Sequence, residues 1–574
     1  MKNQNLAKMF YEIAEYLEMD GVPFKPYAYQ KAATTLEAMK EDVEDVYRQG
    51  GIKALRALPG VGEAIAKKIE EYLTTGRLRY YEEFKEKMPI DLGEIIRVEG
   101  MGPRRAKTLF EKLGVRNLQE LEKAARGHRI APLAGFGEKT EKNILEAIEF
   151  LKRSKGRFLL GDLLPVAETV LEKLRGVKGV ERADMAGSLR RMKETIGDVD
   201  FLVISRDPDR VMDAFVSLPG VEKIWGKGKT KSSVRMAEGY DMDVRVIAPE
   251  SYGAALQYFT GSKEHNIALR KIAIDRGFKL SEYGLFKGSK SIAARTEEEI
   301  YRRLGLQWIP PEMREDRGEV GLAEEGRLPE SVSEEDIRGD LHVHSDWDGG
   351  SNSIERIAEA ARERGYHYVG IADHTKFLKI EHGLDEKKIR ERNAEIDDLN
   401  EQARKSGSRF RILKGCEANI MNDGSIDISD DVLAELDFVI AGIHSHFKMA
   451  RTDMTERIIR ALKNPHVDIL SHPTGRILKR RDEYEADFDR LLKVAREEGK
   501  VLEINAYPER LDLNDTNILK AVKSGVRMAV NTDAHHVDQL DMMRYGVAQA
   551  RRGWACKKDI INTWPAAALL KVMK

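Results

Sequence analysis

Carboxylates and imidazoles dominate the chemistry-bearing residues of this 574-residue sequence. In Gly197-Asp198-Val199-Asp200-Phe201-Leu202-Val203, side chains at i and i+2 leave one face of a strand, so Asp198 and Asp200 point together while Val199 and Phe201 pack behind. A third carboxylate can come from residues 240–247 (YDMDVRVI), whose alternation puts Asp241, Asp243 and Arg245 on one face. Carboxylates this close repel each other unless a cation lies between them. Three of them holding two Mg²⁺ or Mn²⁺ ions suit phosphoryl transfer: one ion activates an attacking hydroxyl, and the other steadies a triphosphate and its leaving group. Ser188 and Arg191 of the preceding Gly187-Ser-Leu-Arg-Arg191 supply donors to phosphate oxygens. The bland alternative is a solvated pair of edge-strand aspartates, which the short spacing to that donor-rich motif disfavours.

Histidine is unevenly spread: 11 of the 13 lie between His342 and His536. Leu341-His-Val-His344 puts two imidazoles on one strand face, and Asp348 follows in a Gly-rich turn. Then come His374, Glu417, His444, His472, Asp533 and His535, each at the C-terminal end of an apolar run. Strand ends are where βα barrels gather their sites. Nine nitrogen and oxygen ligands without a thiolate can hold up to three ions of the Zn²⁺ or Mn²⁺ type. One such histidine alone would be an ordinary core residue. His367, His382, His446, His466 and His536 lack the pattern and are read as surface, substrate-side or supporting residues.

A third signal repeats. Leu58-Pro-Gly60-Val-Gly62, Val98-Glu-Gly100-Met-Gly102 and Leu133-Ala-Gly135-Phe-Gly137 each precede an amphipathic pattern with nearby basic residues. Glycines permit the tight turn and leave backbone N–H groups at a helix N-terminus, where a phosphate can bind. Lys67, Lys68, Arg104, Arg105, Lys107, Lys139 and Lys142 stand within reach of such a phosphate. Three repeats favour sequence-independent binding of a DNA backbone over ordinary helix C-caps.

These residues require particular scaffolds. Residues 1–150 read as successive helices, with Leu6, Met9, Phe10, Ile13 and Leu17 at helical spacing. Residues 160–250 switch to short β runs such as Asp200–Ile204 and Met242–Ile247. From 337 onward, helical stretches alternate with the runs Tyr366–Ala372, Phe410–Gly415, Phe438–Ile443, Val467–Leu470, Val501–Ile504 and Arg527–Val530, which argues for parallel strands. Residues 319–336, acidic and with scattered apolar positions, read as a linker. Composition adds bounds: 41% apolar and 34% charged residues allow several cores and a well-solvated surface. The net charge of −1 excludes bulk electrostatic wrapping of nucleic acid. Two cysteines, Cys416 and Cys556, exclude a disulfide framework. No apolar run reaches a membrane span and no signal-peptide core opens the chain, so a cytoplasmic protein without membrane contact is expected.

The motifs GS-x-RR, GDVDFLV and MDVRVI, with Tyr258-Phe-Thr-Gly-Ser262 and the first two glycine hairpins, resemble the family X DNA polymerases, such as DNA polymerase beta, over residues 1–318. The resemblance implies a lyase-like helical domain (1–85), a fingers-type helical domain (86–150), an α+β nucleotidyltransferase palm (151–248) and a thumb (249–318). It selects Asp243 beside Asp198 and Asp200 as metal ligand, and places Asp243 near a primer 3′-hydroxyl. Ser188, Arg191 and Gly197 would contact the triphosphate, while Tyr258, Phe259, Gly261 and Asn266 would line the sugar and base pocket. Lys68 matches the family's Schiff-base lysine, with Lys25, Tyr29 and Lys31 at nearby family positions. Deprotonation of Lys68 needs a desolvated or cationic pocket, for which Lys67 supplies a second charge. Lys263 and Ile267 depart from the family's pattern near the template.

Residues 337–574 resemble the PHP (polymerase and histidinol phosphatase) family, which implies a βα barrel with a trinuclear centre. Its sites would be His342, His344, Glu417 and Asp533; then Glu417, His444 and His472; then Asp348, His374 and His535. Arg476 would hold a phosphate. The combined order resembles bacterial and archaeal family X polymerases. It implies a monomeric repair enzyme that takes dNTPs and gapped or primer–template DNA, fills short gaps and carries a metal-dependent 3′→5′ nuclease. Abasic-site cleavage and removal of 3′-blocking groups are further implications. One rival reading makes the barrel a small-molecule phosphatase, and another makes the chain a DNA-bridging scaffold with an idle site.

Overall fold

The computed structural model describes residues 2–39, 41–96, 98, 101–153 and 156–573. Gly100, expected in the second hairpin, lies outside the described residues. The first 150 residues form α1 (Lys2–Met19), α2 (Lys25–Ala38), α3 (Val43–Arg56), α4 (Glu63–Thr75), α5 (Arg79–Lys87), α6 (Leu92–Ile95), α7 (Pro103–Leu113), α8 (Leu118–Arg126) and α9 (Glu138–Arg153). Leu6, Phe10, Ile13 and Leu17 share one buried face of α1 and pack on Ala32, Ala33 and Leu36 of α2. A second cluster gathers Ile95, Leu109, Leu121 and Ile148.

Strand and helix then alternate: β1 (Phe158–Leu159), α10 (Leu160–Arg175), β2 (Val180–Met185), α11 (Gly187–Arg190), β3 (Thr195–Ile196), β4 (Asp198–Ser205), α12 (Pro208–Val216), β5 (Val221–Lys227), β6 (Lys231–Met236) and β7 (Asp241–Val246). The main sheet has the order β2-β4-β7-β6-β5, and within it only β4 and β7 run parallel. Their register sets Asp198 opposite Asp241 and Asp200 opposite Asp243. Val199, Phe201 and Val203 point the other way into the core beneath α10 and α12, as period-2 alternation requires.

Next follow α13 (Tyr252–Thr260), α14 (Lys263–Asp275), the antiparallel strands β8 (Lys279–Ser281), β9 (Gly284–Lys287) and β10 (Lys290–Ala293), α15 (Glu297–Arg303) and α16 (Glu319–Glu324). Residues 319–336, expected as a linker, thus carry a helix whose Glu319 is fully buried against His265 Nδ1 at 2.7 Å. A buried carboxylate with a partner is indistinguishable in sequence from a solvated one. Beyond it, Val332 N–H donates to the Ala555 carbonyl at 3.0 Å and so joins this segment to the C-terminal part.

The remaining strands, β11 (Gly339–Val343), β12 (Tyr368–Ile371), β13 (Arg411–Lys414), β14 (Glu417–Asn419), β15 (Ile440–Gly442), β16 (Ile469–Leu470), β17 (Val501–Asn505) and β18 (Met528–Asn531), are all parallel. Bridges from Val343 to Ala534 and from His374 to Glu417 join their two sheets into a closed barrel. Every strand then aims its C-terminal end at one mouth. The barrel and the central sheet share a core, because Leu511 and Tyr545 are buried among Leu164, Leu171 and Phe215. Each such side chain contributes about 1.5–3 kcal/mol by leaving water. Leu519 and Trp554 likewise join the core that residues 304–323 share with the β8–β10 unit.

Candidate metal centres and nucleic-acid contacts

At the first site Asp198, Asp200 and Asp243 meet at one end of the parallel β4–β7 pair. Asp241 is turned away: Arg235 Nε and Nη2 donate to its two oxygens at 2.6 and 2.8 Å, and Trp225 Nε1 donates at 2.8 Å. Asp243 instead meets Lys231 Nζ at 2.8 Å, so an ammonium stands where a cation's charge would serve. Burial, then Asp198 and Asp243, push the Asp200 carboxyl up to about 7. That cluster fits divalent cations, which relieve the repulsion the proton otherwise relieves. Gly187 closes over it with φ +63°, and a Cβ there would lie 2.5 Å from Asp200 Oδ2. Only glycine allows that approach.

Ser188 sits in the one-turn helix α11 beside this cluster, and Gly197 immediately precedes β4. Arg191, expected at the triphosphate, is engaged elsewhere: its Nε donates to Glu315 at 3.1 Å and its Nη1 to the Thr260 carbonyl. Asn266 is structural in the same way, accepting from Gln257 Nε2 and donating to the Tyr258 carbonyl, both at 2.7 Å. It therefore holds the end of α13, where the Tyr258 and Phe259 rings stand edge to face at 5.2 Å and Gly261 ends the helix at φ +67°. The Arg245 guanidinium lies 4.5 Å over Phe259.

Among the helical residues, Gly62 and Gly102 occupy the N-cap positions of α4 and α7 and offer no side-chain cap. Their first-turn N–H groups suit a phosphate. Gly60 and Gly135 adopt φ of +71° and +82°, and Gly137 precedes α9. Of the basic residues expected nearby, Lys107 is held by Asp20 at 2.8 Å and Lys67 by Glu63 at 3.0 Å. Lys68 Nζ lies 4.6 Å over the Tyr80 ring. Burial lowers its pKa, with Lys25 adding to that against Glu71. A shallow pocket places Lys67 and Lys68 with Glu63, Ala64 and Glu71.

The barrel mouth brings all nine expected ligands together. His342, His344 and Asp533 form one compact group, with His344 Nε2 3.2 Å from Asp533 Oδ1 and His342 Nε2 3.4 Å from Glu417 Oε2. Glu417 is central. Its Oε2 lies 3.0 Å from His374 Nε2, and its Oε1 lies 3.2 Å from His444 Nε2 and 3.0 Å from His472 Nε2. His344, His374 and His535 make a further group. Asp348 stands on the outer side of two of these rings, accepting from the Nδ1 atoms of His344 and His374 at 2.8 and 2.9 Å. Asp348 is buried, whereas Asp346, the other carboxylate of the same turn, is exposed. His342 Nε2 and His344 Nε2 are buried and make no well-aligned hydrogen bond to the carboxylates beside them, as expected of nitrogen ligands aimed at a cation.

The ring nitrogens and carboxylates shift one another in both directions. Against burial, Glu503, Glu417 and Asp533 raise His342 well above the usual imidazole range, and Glu417 and Asp348 do the same to His374. A bound cation would take over those attractions. Burial opposes ionisation of Glu417, yet His342, His444 and His374 hold it well below the usual carboxylate range. Burial and Arg510 depress His472 to about 4, and burial and His344 depress His535 to about 4, leaving neutral imidazoles able to ligate. Gly442 is required where these groups crowd, because a Cβ would lie 3.0 Å from both His444 and His472. Asp533 and His472 have φ of +56° and +28°, strain of the kind stored at functional sites.

Several supporting residues fall outside the motif pattern. Glu503 accepts from His342 Nδ1 at 2.7 Å and from His472 N–H at 2.8 Å. Asn419 Oδ1 meets His444 Nδ1 at 2.7 Å, while Asp373 accepts from Ser345 N–H at 2.6 Å and pairs with the buried Arg392. A charged residue inside the apolar strand Val501-Leu-Glu-Ile504 was the available signal for Glu503. Arg476, expected to hold phosphate, is instead buried and committed to Glu194 at 2.7 Å and to the Arg510 and Leu511 carbonyls.

Known families match the chain in the same order. A helix-hairpin-helix domain matches residues 1–78, a SAM-like helix-hairpin-helix tandem 92–149, a DNA polymerase beta thumb 255–315 and a PHP domain 340–507. The chain is 37% identical to the DNA polymerase/3′-5′ exonuclease PolX of Bacillus subtilis, across 98% of this chain and 97% of that one. It is 25% identical to DNA polymerase lambda of Arabidopsis thaliana over 54% of this chain and 62% of that one. A probable phosphatase of Caldanaerobacter subterraneus is 40% identical over 22% of this chain and half of its own length. Helix-hairpin-helix, thumb and PHP matches in this order, with 37% identity across nearly the whole of both chains, leave one conclusion: the chain belongs to the PolX-type family X DNA polymerases that carry a PHP domain.

Proposed function

We propose that this protein fills short gaps in DNA by template-directed nucleotidyl transfer and trims 3′ ends with a separate phosphodiesterase centre in its barrel. The observation that carries the reading is the convergence of Asp198, Asp200 and Asp243 at one sheet end, apart from the cluster of histidines and carboxylates that gathers at the barrel mouth about Glu417. Two Mg²⁺ or Mn²⁺ ions at the aspartates and up to three Zn²⁺ or Mn²⁺ ions in the barrel would supply charge neutralisation and an activated oxygen nucleophile. Asp243 lies opposite Asp200, where it can hold the primer 3′-hydroxyl in line with an incoming phosphate. Ser188 and the start of α11 offer donors to that phosphate. Helices α4 and α7 grip the DNA backbone through their uncapped N-termini, so placement does not depend on base sequence. In the barrel, Glu503 and Asn419 fix the ring orientations of His342 and His444, and Asp348 those of His344 and His374. Lys68, beside Lys25 in a partly desolvated setting, is the proposed amine for abasic-site cleavage. No helix among the described residues is long and apolar enough to cross a membrane, and we read the protein as a cytoplasmic monomer.

A labelled primer–template assay separates the centres. Asp243→Ala abolishes extension and leaves degradation; His344→Ala does the reverse. Degradation that survives His344→Ala would refute the nuclease assignment. A wild-type chain that hydrolyses phosphate monoesters but no DNA would favour the phosphatase reading.

A further inference from the structure

The helical N-terminal domain and the barrel mouth enclose a cavity of about 400 Å³, within the range of small-ligand pockets. One wall is a polar stripe of α2: Tyr27, Lys31 and Thr34, spaced as neighbours on one helix face. The opposite face of α2, with Ala32, Ala33 and Leu36, fills its own core. The stripe lies on the other side of the helix, where Thr34 meets the Tyr11 hydroxyl at 3.2 Å and the Lys31 stem runs beside Gly60. The other wall carries Arg510, Asp533 and His535, so the cavity opens onto the metal-ligand cluster itself. Tyr27 joins the two walls, with its hydroxyl 3.4 Å from the Asp348 carbonyl and its ring edge-on to His382 at 4.6 Å. Arg510 points to an anion: its Nε is 3.8 Å from Asp533 Oδ2, and its buried Nη1 has no hydrogen-bond partner.

We propose that this cavity is a nucleotide subsite of the barrel centre, seating the terminal nucleotide of the strand being trimmed, and that α2 supplies one of its walls. The inference rests on the nuclease reading above. In that reaction water adds to the last phosphodiester: its oxygen bonds to phosphorus, the P–O3′ bond breaks, and the proton ends on the departing 3′-oxygen. The released nucleoside 5′-monophosphate carries a phosphate for Arg510 and Lys31 and a base to lie against Tyr27. Glu381 and Glu509 also line the cavity. They disfavour a bare anion and suit a ligand whose sugar hydroxyl and base amino groups can donate to carboxylates. A polar stripe ending in an aromatic ring matches that mixed chemistry better than it matches a simple cover.

The test uses the full chain as wild type, Lys31→Ala, Lys31→Arg and Tyr27→Ala. Calorimetric titration with dAMP reads the free nucleotide; steady-state degradation of a single-stranded oligonucleotide reads the strand end. Loss of one charge-assisted contact lowers dAMP affinity about tenfold and raises KM for degradation by a similar factor, and Lys31→Arg recovers most of both. Unchanged dAMP affinity and KM in Lys31→Ala and Tyr27→Ala would overturn the subsite while leaving the nuclease reading intact. Faster degradation by Lys31→Ala would also overturn it, since α2 would then be only an obstruction. A wild-type chain that degrades no DNA would refute the nuclease reading, and the subsite with it.

Discussion

Arg552 belongs to the barrel but reaches Arg191, which directly follows the short helix flanking Asp200. Its side chain is 1% exposed. Its Nη1 donates to the Arg191 carbonyl at 2.7 Å and to Glu315 at 3.1 Å, and its Nη2 pairs with Asp515. Arg552→Met keeps the volume and deletes the charge. Three charge-assisted hydrogen bonds disappear, at about 1.5–3 kcal/mol each. The carboxylates are not orphaned, because Glu315 retains Arg191 and Lys193, and Asp515 retains Arg317. The net loss should therefore fall below the ~3–5 kcal/mol of a pair whose partner is left uncompensated, at about 1.5–3 kcal/mol. Urea unfolding of the full chain should show a midpoint lower by about 0.5–1 M. In the same variant the Arg191 backbone loses its anchor, so KM for dNTP in primer extension should rise. A midpoint within ~0.3 M of wild type, together with an unchanged KM for dNTP, would refute the reasoning that this network ties the barrel to the polymerase site.

The same network gives a pH dependence. Burial raises the Asp515 carboxyl, but Arg552 and Arg317 outweigh it and hold it at about 2. A carboxyl depressed from ~3.9 contributes stability that is fully present above about pH 5 and is lost as pH falls toward 2, about 2–3 kcal/mol in all; Asp515→Asn should flatten that part of the unfolding profile. Gly187→Ala forces a side chain into φ +63° and against Asp200 Oδ2, costing at least ~1–2 kcal/mol, so extension should fall tenfold or more while degradation persists. Glu503→Gln weakens the hold on His342 Nδ1 and should lower metal affinity by about 10–100-fold, read as Mn²⁺ retained after dialysis against a chelator.

How much of this was legible in the sequence follows from the physics of each signal. Period-2 alternation placed Asp198 and Asp200 on one face, but could not choose between Asp241 and Asp243; Arg235 and Trp225, which engage Asp241, are met only across strands. The barrel ligands were legible because parallel strands all end at one mouth, so position along each apolar run sufficed. Glu503, Asn419 and Asp373 were not, since their partners come from other strands and no spacing rule links them. Arg476 misled for the same reason: a guanidinium beside a cluster reads as a phosphate ligand until Glu194, from the polymerase half, is found against it. The segment 319–336 looked solvated because Glu319 gives no sign of His265 in its own neighbourhood. The cavity beneath α2 depends on how two distant parts of the chain meet, which composition and periodicity do not encode.

The account rests on two distinct cation cages in one chain. Crystals of the full protein soaked with Mn²⁺ and measured for anomalous scattering test it most directly. Peaks are expected among Asp198, Asp200 and Asp243 and, separately, around Glu417 among His342, His374, His444 and His535. Scattering confined to one of these places, or found only elsewhere, would contradict it.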